Sequence, residues 1–345
     1  MNIASTVLSR YGDHVRYLHL MVTKERISHP RSEEYNRLMV MALVACRRAT
    51  SLALYYESKL QPEEETTAYR DLMAELSSKV MFRVTQGSLS SLALGSLIVL
   101  QRGYELFRGM PLELHSLLDS ISLSLNQTPT LKHLEISCGS ITLETYNNLR
   151  SRAIHLHSLT LVSCINSKLP KLWSFEGVSE WTCNAKLTHL RLIRCQSAYA
   201  PHIPELVRNF PALRHLLVST CGSFSDVISP NRQLGWSREP DALWRHRMPL
   251  DTFFIEHMIK WEILAMGTIP AKTVIATSIR SGDLEASFLQ DPEIFPCLTL
   301  LSIEEKPVGR GDAGPMGPDV EWRERVLASR GIELKADARW LITRR

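Results

Sequence analysis

No phosphate-binding glycine loop, dinucleotide fingerprint, HExxH pair or nucleophile elbow occurs in this sequence, so the commonest nucleotide, metalloprotease and serine-hydrolase chemistries have no carrier. Charge of one sign is missing too. The 40 basic residues stand against 36 acidic ones, a net charge of +4. With no dense basic stripe, that balance gives no electrostatic footprint for nucleic acid. Seven cysteines form no C-x-x-C pair, and their odd number in a long chain points to a reducing compartment rather than a disulfide scaffold. The longest apolar run, "LMVMALVAC" at 38–46, is about half of the ~20 residues that a membrane-spanning helix needs. The first residues, "MNIASTVLSRYGDH", hold no apolar secretory core. The expected location is the cytosol or nucleus, without membrane association.

What is present is a folding chain with a repeated pattern. Apolar residues make up 44% and charged residues 22% of 345 positions, enough to bury a large core and too long for one compact one. "LHSLTLVSC" at 156–164, "LTHLRLIRC" at 187–195 and "LRHLLVSTC" at 213–221 share one nonamer. Its fourth and sixth positions fall on one face of a strand by two-residue alternation, and its third and fifth on the other. The anchors are Leu156, Leu159, Leu161 and Cys164, then Leu187, Leu190, Leu192 and Cys195, then Leu213, Leu216, Val218 and Cys221. The spacing between copies allows one strand, a turn, a helix and a return.

Weaker copies extend the array. "LKHLEISCGSIT" begins at Leu131 with its Cys138 one place early; "VRYLHL", "ATSLAL" and "LSSLAL" begin at Val15, Ala49 and Leu89. Downstream come "LDTFFI" from Leu250, a degenerate strand around Val274 and "LTLLSI" from Leu298, for about ten strands in all. Helical spacing of Tyr35, Leu38, Met39, Ala42 and Leu43 behind a Ser32 cap predicts a helix, as does "PEEETTAYRDLMAEL" with its opening proline and acids. "LETYNNLRS", "HIPELVRNF" and "MPLELHSLLDSI" read the same way, the last with Pro111 near its start. Strand then helix, repeated, implies parallel strands joined by crossovers. The expected fold is an α/β solenoid, a horseshoe with a parallel concave sheet and helices or irregular segments on its convex side. It would occupy 1–306, with an N-terminal cap near 1–14. Residues 307–345 read as a Gly/Pro-rich linker and a C-terminal cap: a helix through "VEWRERVLAS" after Asp319, stopped at Gly331, then a final extended piece. Trp322, Val326, Leu327 and Leu334 would cover the terminal apolar edge.

L-x-x-L-x-L-x-x-C, with "CGSIT" at 138–142, resembles the cysteine-containing leucine-rich repeats of F-box proteins. The irregular repeat lengths resemble the fungal versions especially, and the resemblance covers most of 15–305. In that family an F-box recruits the adaptor of a cullin-type ubiquitin ligase, and the repeats hold the substrate. No F-box is recognisable here; "MPLELHSLLDSI" leads straight into the strand at Leu131 and reads as a repeat helix. The resemblance therefore implies the substrate-recognition half, a non-enzymatic interaction module, with the cullin-ligase adaptor a partner by family analogy. A free-standing repeat scaffold is the alternative, and an enzyme using the histidine and cysteine columns a remoter one.

The third and fifth strand positions face the concavity, where solenoids commonly bind. The candidate partner-binding residues are His133, Glu135, Thr160, His189, Arg191, His215, Leu217, Phe254 and Glu256. Ser158 separates His133 from His189, and the adjacent His189 and His215 alone are too few to hold a metal. The stacked cysteines read as small buried hydrophobes under the turns. No cofactor, metal or catalytic group is expected. Glu135, Glu256 and Glu304 on the strands argue against nucleic acid, leaving a protein partner and a monomeric chain. "GRGDAGPMGPD", containing Arg310, Gly311 and Asp312, reads as linker, and the acceptor-like Asn126-Gln127-Thr128 is moot inside a cell.

Overall fold

A computed structural model of the chain describes residues 3–23, 32–57, 67–97, 112–139, 141–164, 186–193, 207, 210–219, 249–256, 269–279, 295–305 and 320–335. The chain divides into two compact units, Met1–Lys168 with Glu180–Lys186, and Leu169–Ser179 with Leu187–Arg345. Both belong to the α/β class, and every described strand pairing is parallel.

Among its described residues the first unit alternates helix and strand. Its elements are α1 (Ile3–Tyr11), β1 (Tyr17–Val22), α2 (Ser32–Ala45), β2 (Ser51–Glu57), α3 (Thr67–Thr85), β3 (Ser91–Leu97), α4 (Leu112–Ser124), β4 (His133–Gly139), α5 (Leu143–Arg152) and β5 (Ser158–Cys164). The strands lie side by side in chain order, and each helix from α1 to α5 packs on the next. The repeated leucines explain this. Leu52, Leu92, Leu134 and Leu159 stand in one register row, Leu54, Leu94, Ile136 and Leu161 in the next, and all are at most 2% exposed. Each such side chain contributes about 1.5–3 kcal/mol by leaving water. No repeat could bury its own leucines alone, so stacking is what makes the strands stable.

Successive repeats are joined by a backbone ladder before each strand begins. The carbonyl of Arg16 accepts from Thr50 and Ser51, that of Thr50 from Ser90 and Ser91, that of Ser90 from Lys132 and His133, and that of Lys132 from His157 and Ser158. The ladder fixes the register that puts equivalent residues side by side. Between helices the contacts are partly polar. Arg83 of α3, 6% exposed, donates to the carbonyls of Arg47 and Ala49 just past α2. Asp119 of α4 accepts from the hydroxyls of Thr142 and Thr145 at the start of α5, where Thr142 also caps the helix through the Thr145 amide.

The second unit holds β6 (His189–Ile193), β7 (His215–Ser219), β8 (Leu250–Glu256), β9 (Ala271–Ile279), β10 (Leu300–Glu305), α6 (Val320–Ser329) and β11 (Glu333–Lys335), its strands again in chain order. Leu190, Leu216, Phe253, Val274 and Leu301 form its buried row. The helix α6 stops at Gly331, whose φ of +69° suits glycine. The Ile332 amide then reaches back to the Leu327 carbonyl and the Gly331 amide to that of Ala328, closing the helix end before β11 adds to β10.

Several expectations change. The described residues of the two units hold eleven strands where about ten were read, because three residues of the terminal extended piece pair with β10 as β11. Ser32 begins α2 rather than preceding it, and Tyr35, expected on the buried stripe, is 38% exposed while Met39, Ala42 and Leu43 are buried. Of the terminal cap residues Leu327 is fully buried and Val326 and Leu334 half-buried; the Trp322 side chain lies outside the described set. "MPLELHSLLDSI" forms a repeat helix as expected, α4 from Leu112, packed between α3 and α5. Of "HIPELVRNF" only Val207 and Phe210 are described, both buried. The Pro62 start of α3, Asp319 and the linker through Arg310–Asp312 lie outside the described residues.

Candidate functional site

Side chains at the third and fifth positions of each strand stand on the sheet face opposite the leucines, because alternation leaves them no other direction. In the first unit one row is Tyr17, Ser51, Ser91, His133 and Ser158, the next His19, Ala53, Ala93, Glu135 and Thr160, and a third Met21, Tyr55, Gly95, Ser137 and Val162. The middle strand, β3, presents only Ser91, Ala93 and Gly95. A Cβ at Gly95 would overlap the carbonyl oxygen and Cβ of Ser137 on the next strand, so glycine is required there by close approach. This leaves a low floor between two higher walls.

Across that floor Tyr55 of β2 donates its hydroxyl to Glu135 Oε1 of β4 at 2.6 Å, a bond between residues that are not register partners. The His19 ring packs edge-on against Tyr55, centroids 5.2 Å apart at 69°. The result is an aromatic, acid-tipped cluster of His19, Tyr55 and Glu135 above alanine and glycine. Beside it lies His133, whose imidazole is held below the ordinary histidine value by partial desolvation, with a smaller contribution from the His157 charge. Such a face offers a charged acceptor, ring faces and a recess for a partner side chain.

In the second unit His189 and His215 are register partners, and their rings stack with centroids 4.4 Å apart at 26°. His189 Nδ1 lies 2.9 Å from the Thr188 hydroxyl. Arg191 pairs with Leu217, and Leu217 with Phe254; Arg191 is exposed, the other two half-buried. At the strand starts Lys272 binds Asp251 at 2.9 Å, and that hydrogen bond holds the Asp251 carboxyl below its usual range.

The structure therefore sorts the nine candidates. His133 and Glu135 share the first unit's face, and His189, Arg191, His215, Leu217 and Phe254 the second's. Glu256 occupies the expected register position opposite Ser219, its side chain outside the described set. Thr160 is the exception. It is 6% exposed, a short side chain in register beside the longer Glu135, and contributes little accessible surface. His19 and Tyr55 were missed. Their signal was present, since both fill outward positions of the copies at Val15 and Ala49. Of the cysteine column, Cys164 pairs with Gly139 rather than Cys138, in keeping with the early cysteine; Cys195 and Cys221 lie outside the described residues.

Among the described residues no group of three His, Cys, Asp or Glu is placed to hold a metal ion, and no helix is long and apolar enough to cross a membrane. No protein-family model matches the chain, and no curated protein matches it at a significant level.

Proposed function

We propose that this chain is a non-enzymatic protein-interaction module whose partner lies on the outward face of the strands. The observation that carries the reading is the contrast between the two faces. In each unit one is an apolar layer, mostly leucine, consumed by packing; the other carries aromatic, histidine and charged side chains whose fixed spacing is about 4.8 Å from strand to strand. Rigid strands present these groups with little conformational freedom to lose, which favours binding. Tyrosine and arginine, the residues that most often dominate interface energetics, occupy outward positions at Tyr55 and Arg191.

The repeat motif's resemblance to the leucine-rich repeats of F-box proteins supports a finer reading: the partner is a substrate delivered to a cullin-type ubiquitin ligase, in the cytosol or nucleus. Affinity capture of the full chain from its native cell, followed by mass spectrometry, tests it. Co-recovery of the cullin adaptor with a reproducible partner is expected; a reproducible partner without the adaptor would leave a free-standing repeat scaffold.

A further inference from the structure

The first unit carries a second surface, away from the outward sheet face, along the edge where helices end and strands begin. Among the described residues seven large apolar or aromatic side chains are exposed, and all fall in the first unit. Four of them share this edge: Tyr11, Val44, Phe82 and Leu123 lie in the last turns of α1, α2, α3 and α4, at 53%, 59%, 63% and 40% exposure. Single exposed apolar residues are ordinary, but a row repeated on successive helices is a patch. Successive helices pack directly, at about 8–10 Å between axes, so the row from Tyr11 to Leu123 extends about 30 Å.

The same edge is basic. Arg47 and Arg48 follow α2 and are exposed, Lys132 precedes β4, and Arg152 ends α5 with its guanidinium on the Leu123 carbonyl at 3.1 Å. Asp13 is the acid among the helix-to-strand turns of this unit, and Arg47 engages it with both carboxylate oxygens at 2.8 and 2.9 Å. Cations near helix C-termini are favoured by the helix dipole. That accounts for Arg152 but not for Lys132 before its strand, nor for the apolar row.

We propose that this edge is a docking surface for an acidic, amphipathic helical segment of a partner protein. A helix of about 20 residues spans about 30 Å and can set an apolar stripe on the exposed row while its flanking carboxylates meet the arginines and lysine, the helix-on-groove mode of recognition. A bilayer would have to dehydrate the charged groups beside a row one residue wide; the helix satisfies both kinds of group at once.

The test is selection of a random peptide library on the full chain at physiological salt, with phosphatidylserine vesicles and an oligouridine as competing probes. The expected winners carry Asp and Glu beside Leu or Phe at three- and four-residue spacing. Their affinity should fall about tenfold with Phe82→Ser and again with Arg48→Glu, and stay unchanged when His189, Arg191 and His215 on the sheet face become alanine. Both edge variants should melt like the parent, since surface changes cost little; if Phe82→Ser melts early, Arg48→Glu alone decides. Enrichment of neutral or basic peptides, winners insensitive to both substitutions, or vesicle or oligouridine binding that these substitutions abolish would overturn the proposal.

Discussion

Leu190 and its two neighbours, side by side on β6, should behave oppositely, and the contrast tests the register of the binding face. Leu190 is 3% exposed and pairs with Leu216 in the buried row. In Leu190→Asp the buried methyl groups are lost, at about 3–5 kcal/mol. The carboxyl must then either stay charged in an apolar layer or be held protonated at pH 7, which costs about 4 kcal/mol for a shift of roughly three pKa units. The combined loss, about 7–9 kcal/mol, is comparable with the whole stability of an ordinary domain, about 5–15 kcal/mol. The second unit should lose its fold around β6 and β7. Replacing His189, Arg191 and His215 with alanine removes an exposed arginine and one stacked ring pair, about 0.5–1.5 kcal/mol, and should leave the fold intact while weakening the partner. Thermal melting, hydrogen exchange across β6 and β7 and partner affinity would be measured for both variants. A triple alanine that unfolds, or a Leu190→Asp that melts like the parent, would refute the assignment of faces.

Three further outcomes follow from the first unit. Gly95→Ala should lower the melting temperature measurably, because the new Cβ meets the Ser137 backbone; an unchanged melt would contradict that close approach. Arg83→Met should destabilise by about 2 kcal/mol in urea unfolding, since it strands carbonyls past α2 that the buried guanidinium satisfies; a neutral or stabilising result would count against the bridge. Stability should also fall with acid. Burial lowers the imidazoles of His133, His115 and His155, aided at His133 by the His157 charge and at His155 by Lys186 and Lys132, and opposed at His115 by Asp119. The unfolded chain therefore binds more protons as pH drops below the ordinary histidine value of about 6.5. The contribution is complete above that value and lost as pH falls toward the lowered folded values, so His133→Gln should flatten the dependence. Equal slopes for variant and parent would remove His133 from it.

The strands were legible because leucines at the fourth and sixth positions recur with the period of a pleated strand and at one repeat length. Where the leucines fade, legibility fades with them. β9, "AKTVIATSI", was read only as degenerate, since Ala271, Val274 and Ala276 do the burying there. β11 is three residues long, too short to show alternation. The bridge from Tyr55 to Glu135 was invisible for another reason. The two residues are 80 apart in sequence and meet diagonally because the strand between them is small at Ala93 and Gly95, which pairwise register does not announce. The basic edge escaped notice likewise. Arg47, Arg48, Lys132 and Arg152 come one or two to a repeat, never as a longer run, and only the stacked turns collect them. Thr160 shows the converse limit: alternation assigns a face but not the accessibility that neighbouring side chains leave.

The account rests on the outward strand face as the place where a partner binds, and side-chain hydroxyl-radical footprinting of the full chain with its captured partner tests this most directly. Protection is predicted at His19, Tyr55, His133, Arg191 and His215, with the exposed outer helix position Tyr35 reacting as in the free chain. Protection confined to the helices, with the five strand residues labelled as before, would contradict it.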